Sequence, residues 1–313
     1  MTVVPRVFVQ TPYPGGKPAL TFALRAAQPT QIIISPYQRM PSDVSQIASY
    51  MTTSGVIDAI NVAESLRIPW GVGVYPGVAI PLVTQTNKPD FAVDPWAESI
   101  YGIGGMRFGS YRNDVLTLQK RFWTWIRDNI RMPYLFYIGN EGSISVWGRY
   151  GWRRELARRW GWFYLQAYRD ANEIGSGVPV VASPYFHDKP GDMTPNAFKD
   201  VGYIFRAETS NIHSWLRSYD GTDAQPIDFV LQDGVGAGAK RKVSPNDAIL
   251  WARNLGAHGI PIALNAEGFK TLDQQTFSVV SLTQYKARLK EYYEADIAVG
   301  TSWSLYWIAK MLS

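Results

Sequence analysis

Tyr134-Leu135-Phe136-Tyr137-Ile138-Gly139-Asn140-Glu141 runs apolar without a break to Ile138 and turns polar within the next three residues. A strand wetted on one face alternates apolar and polar side chains. A strand covered on both faces is apolar throughout, as in a parallel sheet flanked by helices. The same grammar recurs along the chain, at Arg6–Gln10, Gln31–Ser35, Trp70–Tyr75, Tyr134–Gly139, Pro179–Ser183, Asp228–Gln232, Pro261–Asn265 and Gly300–Leu305, several of them opening on or just after a proline. These eight runs are read as strands one to eight.

Helical patterns separate them. Leu20–Ala27 is short, and Val44–Leu66 reads as two helices broken near Gly55. In Asp114–Arg131, the residues Val115, Leu118, Phe122, Trp125 and Ile126 form one stripe, and Trp152–Ile174 does the same with Leu156, Trp160, Phe163, Ala167, Tyr168 and Ala171. Between Ala197 and Tyr219 the pattern is helical but irregular. Ser244-Pro245-Asn246-Asp247 supplies an N-cap, a proline at the first helical position and an acid in the first turn, opening a helix that runs to about Ala257. Leu282–Ile297 follows strand seven, and a short last helix lies near Leu305–Leu312. Strands alternating with helices imply a parallel α/β fold. Eight such units in about 300 residues predict one (β/α)8 TIM barrel spanning residues 1–313, with an open doubly wound sheet as the rival. The segment Pro76–Asn113 after strand three, rich in Gly, Pro and Tyr, is expected to be a long loop over the active face.

In such a barrel the site forms at the carboxyl ends of the strands, so the polar residues just past each apolar run are the first candidates. Strand four ends in Asn140-Glu141 and strand seven in Asn265-Ala266-Glu267. Two Glu at matching positions on opposite sides of a barrel can meet across a sugar ring. Glycoside hydrolysis needs such a pair, one carboxyl protonating the leaving oxygen, the other attacking the anomeric carbon or activating water. Gln232 and Asp233 past strand six are expected to face the pocket and bind sugar hydroxyls, the alternative for Asp233 being an Asx turn that caps the next loop. Tyr13, Tyr37, Tyr75, Tyr185 and His187, past strands one, two, three and five, are expected as subsite walls, and Trp303 on strand eight as a stacking platform. The bland reading of each is core packing or surface.

Composition narrows the classes. Apolar residues make up 46% and charged residues 18%, which permits a sizeable core and argues against disorder. The chain has no Cys, which removes disulfides and thiolate zinc sites. Its three His (His187, His213 and His258) are scattered and form no H-E-x-x-H, so neither metal nor cofactor is expected. Lys and Arg exceed Asp and Glu by 31 to 26, too mild an excess to imply nucleic acid. The Arg residues among the tryptophans of Trp147–Trp162 read as a solvated helix flank. Lys240-Arg241-Lys242, on the catalytic side, is where the charge of an anionic glycan would be read. Gly234-Val235-Gly236-Ala237-Gly238-Ala239 fits a loose dinucleotide fingerprint. It follows the sixth strand rather than the first, and its helix starts late. The start, Met1–Arg6, shows no signal peptide, and no apolar run reaches the ~18 residues of a bilayer span. A soluble protein is expected, without membrane contact, with its compartment and oligomeric state open: export with a trimmed signal and a phage origin both fit.

Asn140-Glu141 and Glu267 resemble the large clan of (β/α)8 retaining glycosidases. The ordered set Tyr137–Glu141, Val180–Phe186, Leu231–Gly236 and Asn265–Phe269 is similar, more closely, to a bacterial domain-of-unknown-function family of barrel glycosidases. The likeness covers roughly Pro133–Phe269. It implies Glu141 as acid/base, Glu267 as nucleophile and Asn140 as donor to the hydroxyl beside the anomeric carbon. Gly142 and Ser143 depart from the bulkier residues expected after the acid/base. The expected function is that of a retaining glycosidase acting on a polysaccharide or oligosaccharide; the alternative is a carbohydrate-binding barrel without catalysis, in a phage or cell-surface assembly.

Overall fold

The computed structural model describes residues 6–36, 44–73, 109–138, 164, 166–183, 227–235, 243–256, 262–271 and 277–312. Eight parallel strands close into a barrel: β1 (Arg6–Thr11), β2 (Gln31–Pro36), β3 (Trp70–Val72), β4 (Leu135–Ile138), β5 (Val180–Ala182), β6 (Ile227–Gln232), β7 (Ile262–Glu267) and β10 (Val299–Trp303). β10 seals the ring between β7 and β1. The eight apolar runs are thus the eight barrel strands. A small antiparallel hairpin, β8 (Phe269–Thr271) with β9 (Phe277–Val279), stands between β7 and the next helix and was not expected from the sequence.

Helices lie between the strands: α1 (Gly16–Ala27), α2 (Ile47–Thr53), α3 (Val56–Ser65), α4 (Gly109–Asn129), α5 (residues 166–174), α6 (Pro245–Gly256), α7 (Leu282–Glu294) and α8 (Leu305–Leu312). The break between α2 and α3 falls at Gly55, whose φ of 73° is left-handed and suits glycine. α4 begins at Gly109, within the segment expected to be loop; residues 74–108 lie outside the described residues. Ser244 caps α6 as expected, accepting from the Asp247 amide at 3.2 Å while the Asp247 carboxylate accepts from the Ser244 amide at 2.8 Å. No described helix is long and apolar enough to cross a membrane.

Because successive side chains on a strand point to opposite faces, each strand feeds two cores. Val7, Val9, Ile32, Ile34, Val72, Phe136 and Leu231 pack outward against the helices. Phe8, Ile33, Leu135, Tyr137, Val181 and Val230 fill the lumen. On the outer side, α4 buries Phe122 and Trp123 completely, and the Trp123 indole donates to the Val72 carbonyl at 3.3 Å. Full burial of one such side chain stabilises by about 1.5–3 kcal/mol. Inside, Phe8 and Tyr137 meet edge to face across the barrel with centroids 4.8 Å apart. Gly71 and Gly73 on the β3 side make room for Leu135 and Tyr137. At the amino-terminal mouth, Arg6 of β1 reaches Asp228 of β6 at 3.5 Å, across strands that are not neighbours. The lumen therefore has an ionic base and an aromatic middle, which leaves the carboxyl-terminal end for chemistry.

Candidate active site

Glu267 is the last residue of β7 and is 1% exposed. Leu264 and Ala266 belong to the outer core, so alternation turns Ala263, Asn265 and Glu267 into the lumen. An added Cβ on Gly300 would touch Ala263 at 2.9 Å and Val230 at 3.5 Å, as expected of residues sharing the interior. Asn265 stands in register with Gln232 of β6 on one side and with Thr301 of β10 on the other. The Ser302 hydroxyl bonds Tyr285 on the outer helix at 2.6 Å, which leaves Thr301 on the inner face. Ser183, one residue past β5, shares the face of the lumen residue Val181.

These inward groups form a polar belt just below the carboxyl-terminal mouth. Asn265 is 0% exposed, and both polar atoms of its amide lack a hydrogen-bond partner among the described residues. So do the Gln232 amide nitrogen and the Ser183 and Thr301 hydroxyls. A buried polar group without a partner costs about 1–3 kcal/mol. Proteins keep such groups where function asks for them. Sequence reasoning identified Glu267 and Gln232 but missed Asn265, Thr301 and Ser183 as lumen residues. Their signal was present in the period-2 alternation, once the ends of β7 and β10 are placed.

Gln232 and Asp233 do not share a face. Asp233 is buried behind the lumen, where Arg288 Nη1 of α7 donates to its Oδ2 at 3.1 Å and the Tyr292 hydroxyl donates to the same oxygen at 2.9 Å. Its Oδ1 accepts from the Val235 amide at 3.1 Å, the Asx-turn geometry weighed as the alternative. Alternation accounts for the difference, since neighbouring strand residues face opposite ways. Burial drives the Tyr292 hydroxyl well above its ordinary range, with Asp233 adding to the shift. Burial works to lower the Arg288 guanidinium, but Asp233, Tyr292 and Glu267 together outweigh it and leave the group raised.

Tyr13 is half-buried at the end of β1, edge to face with Tyr306 of α8 at 6.4 Å; burial and then Tyr306 push its hydroxyl up to about 12. Tyr306 meets Trp307 at 5.0 Å, and Trp307 meets Phe269 at 5.9 Å against the lumen cluster. Tyr13, Tyr306, Trp307 and Phe269 thus make an aromatic wall on the β1–β10 side. Trp303 stands in register with Glu267, and its side chain lies outside the description. Glu141, Asn140, Tyr37, Tyr75, Tyr185 and His187 lie outside the described residues, as does Lys240–Lys242. β4 is described up to Ile138, three residues before Glu141.

Two other features bear on function. A cavity of about 880 Å³ opens on the outer wall beside α4, away from the strand ends. Its acids are already engaged, Asp170 with Lys120 at 3.2 Å and Asp128 with Arg127 at 2.7 Å. Of the glycine-rich stretch after β6, Gly236–Ala239 lies outside the described residues. The next described helix, α6, starts at Pro245. Among the described residues no cluster of His, Asp or Glu could hold a metal ion.

No family model matches the chain, and no curated protein does. Among solved structures, a candidate alpha-L-fucosidase from Bacteroides thetaiotaomicron matches with a TM-score of 0.59 at 15% identity, over 99% of this chain and 90% of that one. An endo-1,4-beta-D-mannanase from Thermotoga petrophila follows at TM-score 0.49 and 10% identity, covering 97% and 88%. A sugar phosphate isomerase/epimerase from Parabacteroides distasonis stands at 0.44 and 10%, covering 99% and 93%. At such identities the first likeness speaks for the fold alone, and the other two are too distant to add to it. The chain is a (β/α)8 barrel.

Proposed function

We propose that this barrel hydrolyses glycosidic bonds, with Glu267 as nucleophile and Glu141 as acid/base. The observation that carries the reading is Glu267 itself: a carboxyl group at the carboxyl end of a barrel strand, turned into the lumen and almost wholly buried, beside amide and hydroxyl groups with no partner among the described residues. Sugar hydroxyls both donate and accept, which is what Asn265, Gln232, Thr301 and Ser183 require. An aromatic wall beside the mouth suits the apolar face of a sugar ring.

In the proposed reaction Glu267 attacks the anomeric carbon while Glu141 protonates the departing oxygen. The glycosyl–enzyme ester is then cleaved by water that gives its proton to Glu141, and configuration is retained. Retention requires the two carboxyl groups to stand ~5–5.5 Å apart, against ~6.5–9.5 Å for inversion. The substrate is a glycan, neutral or anionic.

The test is a panel of aryl glycosides and polysaccharides, followed by proton NMR of the first-formed anomer. Glu267→Gln and Glu141→Gln should each lower turnover by at least ~10³-fold with the fold intact. Turnover near the wild-type rate in either variant overturns the assignment. A wild-type protein that binds a glycan tightly and leaves it uncut indicates the binding barrel instead.

A further inference from the structure

We propose that Arg288, held by Asp233, is a positioning residue that sets the backbone of Glu267, a role that rests on the reading of Glu267 as the nucleophile. Arg288 Nη1 donates to the backbone carbonyl of Glu267 at 2.8 Å and to Asp233 Oδ2 at 3.1 Å. The Asp233 amide in turn donates to the Asn265 carbonyl at 3.0 Å. The carbonyls on either side of Ala266 are therefore both held by one buried unit, and they belong to the two residues whose side chains enter the lumen.

The helix that delivers Arg288 is itself fixed. Tyr285, Arg288 and Tyr292 are its buried residues, spaced three and four apart so that they share one face. Tyr285 ties to Ser302, whose neighbour Trp303 stands in register with Glu267. Ser281 caps the helix through a reciprocal capping box with Gln284. α7 is thus pinned to the ends of β6, β7 and β10 together.

The chemistry argues for position over adhesion. A buried ion pair binds a helix to a sheet no better than well-packed apolar residues of the same volume. What an apolar pair cannot do is hydrogen-bond the carbonyl where the barrel strand ends. The guanidinium is suited to this, because both bonds leave Nη1, whose two N–H groups lie fixed in the guanidinium plane and hold two acceptors at a set angle. A carboxylate that must reach an anomeric carbon loses rate for small errors of placement.

Two variants test this. Asp233→Asn/Arg288→Met removes both charges and leaves none uncompensated; Arg288→Lys keeps the charge but not the planar pair of N–H groups on Nη1. Hydrogen exchange of residues 262–268 is measured in each, with kcat and KM for a glycoside that the wild type cleaves. The double variant should unfold close to the wild-type temperature and raise exchange in that segment at least tenfold. It should lower kcat at least thirtyfold and leave KM within threefold. Arg288→Lys should fall between it and the wild type in both readouts. Unchanged exchange overturns the proposal whatever happens to kcat, and so does a kcat within threefold of wild type when exchange has risen, which would mark a purely structural clamp. If the double variant does not fold, Arg288→Lys decides by the same two readouts. Should the wild type cleave no glycoside, the glycosidase reading fails, and the exchange measurement alone still decides whether Arg288 holds this backbone.

Discussion

Asp233 and Arg288 form a buried ion pair behind the lumen, Oδ2 to Nη1 at 3.1 Å, with side-chain exposures of 0% and 7%. Their burial makes the pair sensitive to losing one member. Arg288→Met leaves a carboxylate in a site with little water, and breaking such a pair costs about 3–5 kcal/mol. Restoring neutrality with Asp233→Leu in the same chain should recover most of that loss. Urea unfolding of the single and double variants measures both steps. Additive losses, with no recovery in the double variant, would show that the two charges do not meet as described.

The lumen makes a steric prediction. A Cβ at Gly73 would overlap the carbonyl of Tyr137 and stand 2.7 Å from its side chain. At Gly71 the overlap is mainly with the Leu135 side chain, with the Leu135 carbonyl at 2.9 Å. A leucine can rotate away more readily than a strand carbonyl can move. Gly71→Ala should therefore cost about 1–3 kcal/mol and Gly73→Ala more, since overpacking strains the backbone itself. Chemical denaturation of the two variants ranks them, and the reverse order would contradict the described approach of β3 to β4.

Much of this barrel was legible in the sequence, for a physical reason. Strands covered on both faces are written as unbroken apolar runs, and all eight runs are barrel strands. The cap at Ser244 and the break at Gly55 were equally plain, because both are local chemistry. The start of α4 was misread, since Gly109-Ser110-Tyr111-Arg112-Asn113 has little apolar periodicity to announce a helix. The short hairpin after Glu267 was missed because three-residue strands have no period to detect. In the candidate site, the inward, buried place of Glu267 could be read from its position at the end of a run. For Asp233 the sequence leaves a pocket-facing side chain and an Asx turn both open, and the structure has the Asx turn, since neighbouring strand residues face opposite ways. Arg288 was invisible, since its partners lie 55 and 21 residues away.

Asn265 offers a trade between stability and function. Its amide is completely buried, with neither polar atom bonded among the described residues. Leucine has nearly the same shape and nothing to satisfy, so Asn265→Leu should stabilise the fold by about 1–2 kcal/mol. The same change removes one donor and one acceptor from the lumen and should weaken glycan binding at least tenfold if the polar belt serves the substrate. Thermal unfolding and glycan titration of one preparation check both halves. A destabilised variant would mean that the amide has a structural partner, and unaltered glycan affinity would take Asn265 out of the site.

Alkaline pH should loosen the protein through its buried tyrosines. Burial pushes the Tyr285 hydroxyl up to about 12 from an ordinary 10.0, with the Ser302 hydrogen bond opposing and Asp233 adding to the shift. Tyr13 is pushed to about 12 by burial and then by Tyr306. Tyr50 is raised by burial as well. A group whose folded pKa lies above its unfolded value holds its proton more tightly when folded. Its contribution is whole below pH 10 and is lost as pH rises from about 10 to 12. Stability measured by urea unfolding should therefore decline across that window, while tyrosinate absorbance lags until the chain opens. Tyr285→Phe strands the Ser302 hydroxyl and lowers stability at neutral pH, yet it removes one proton-linked term. Its stability should fall less steeply with pH between 10 and 12 than that of the wild type, and an equal slope would show that Tyr285 ionises without unfolding.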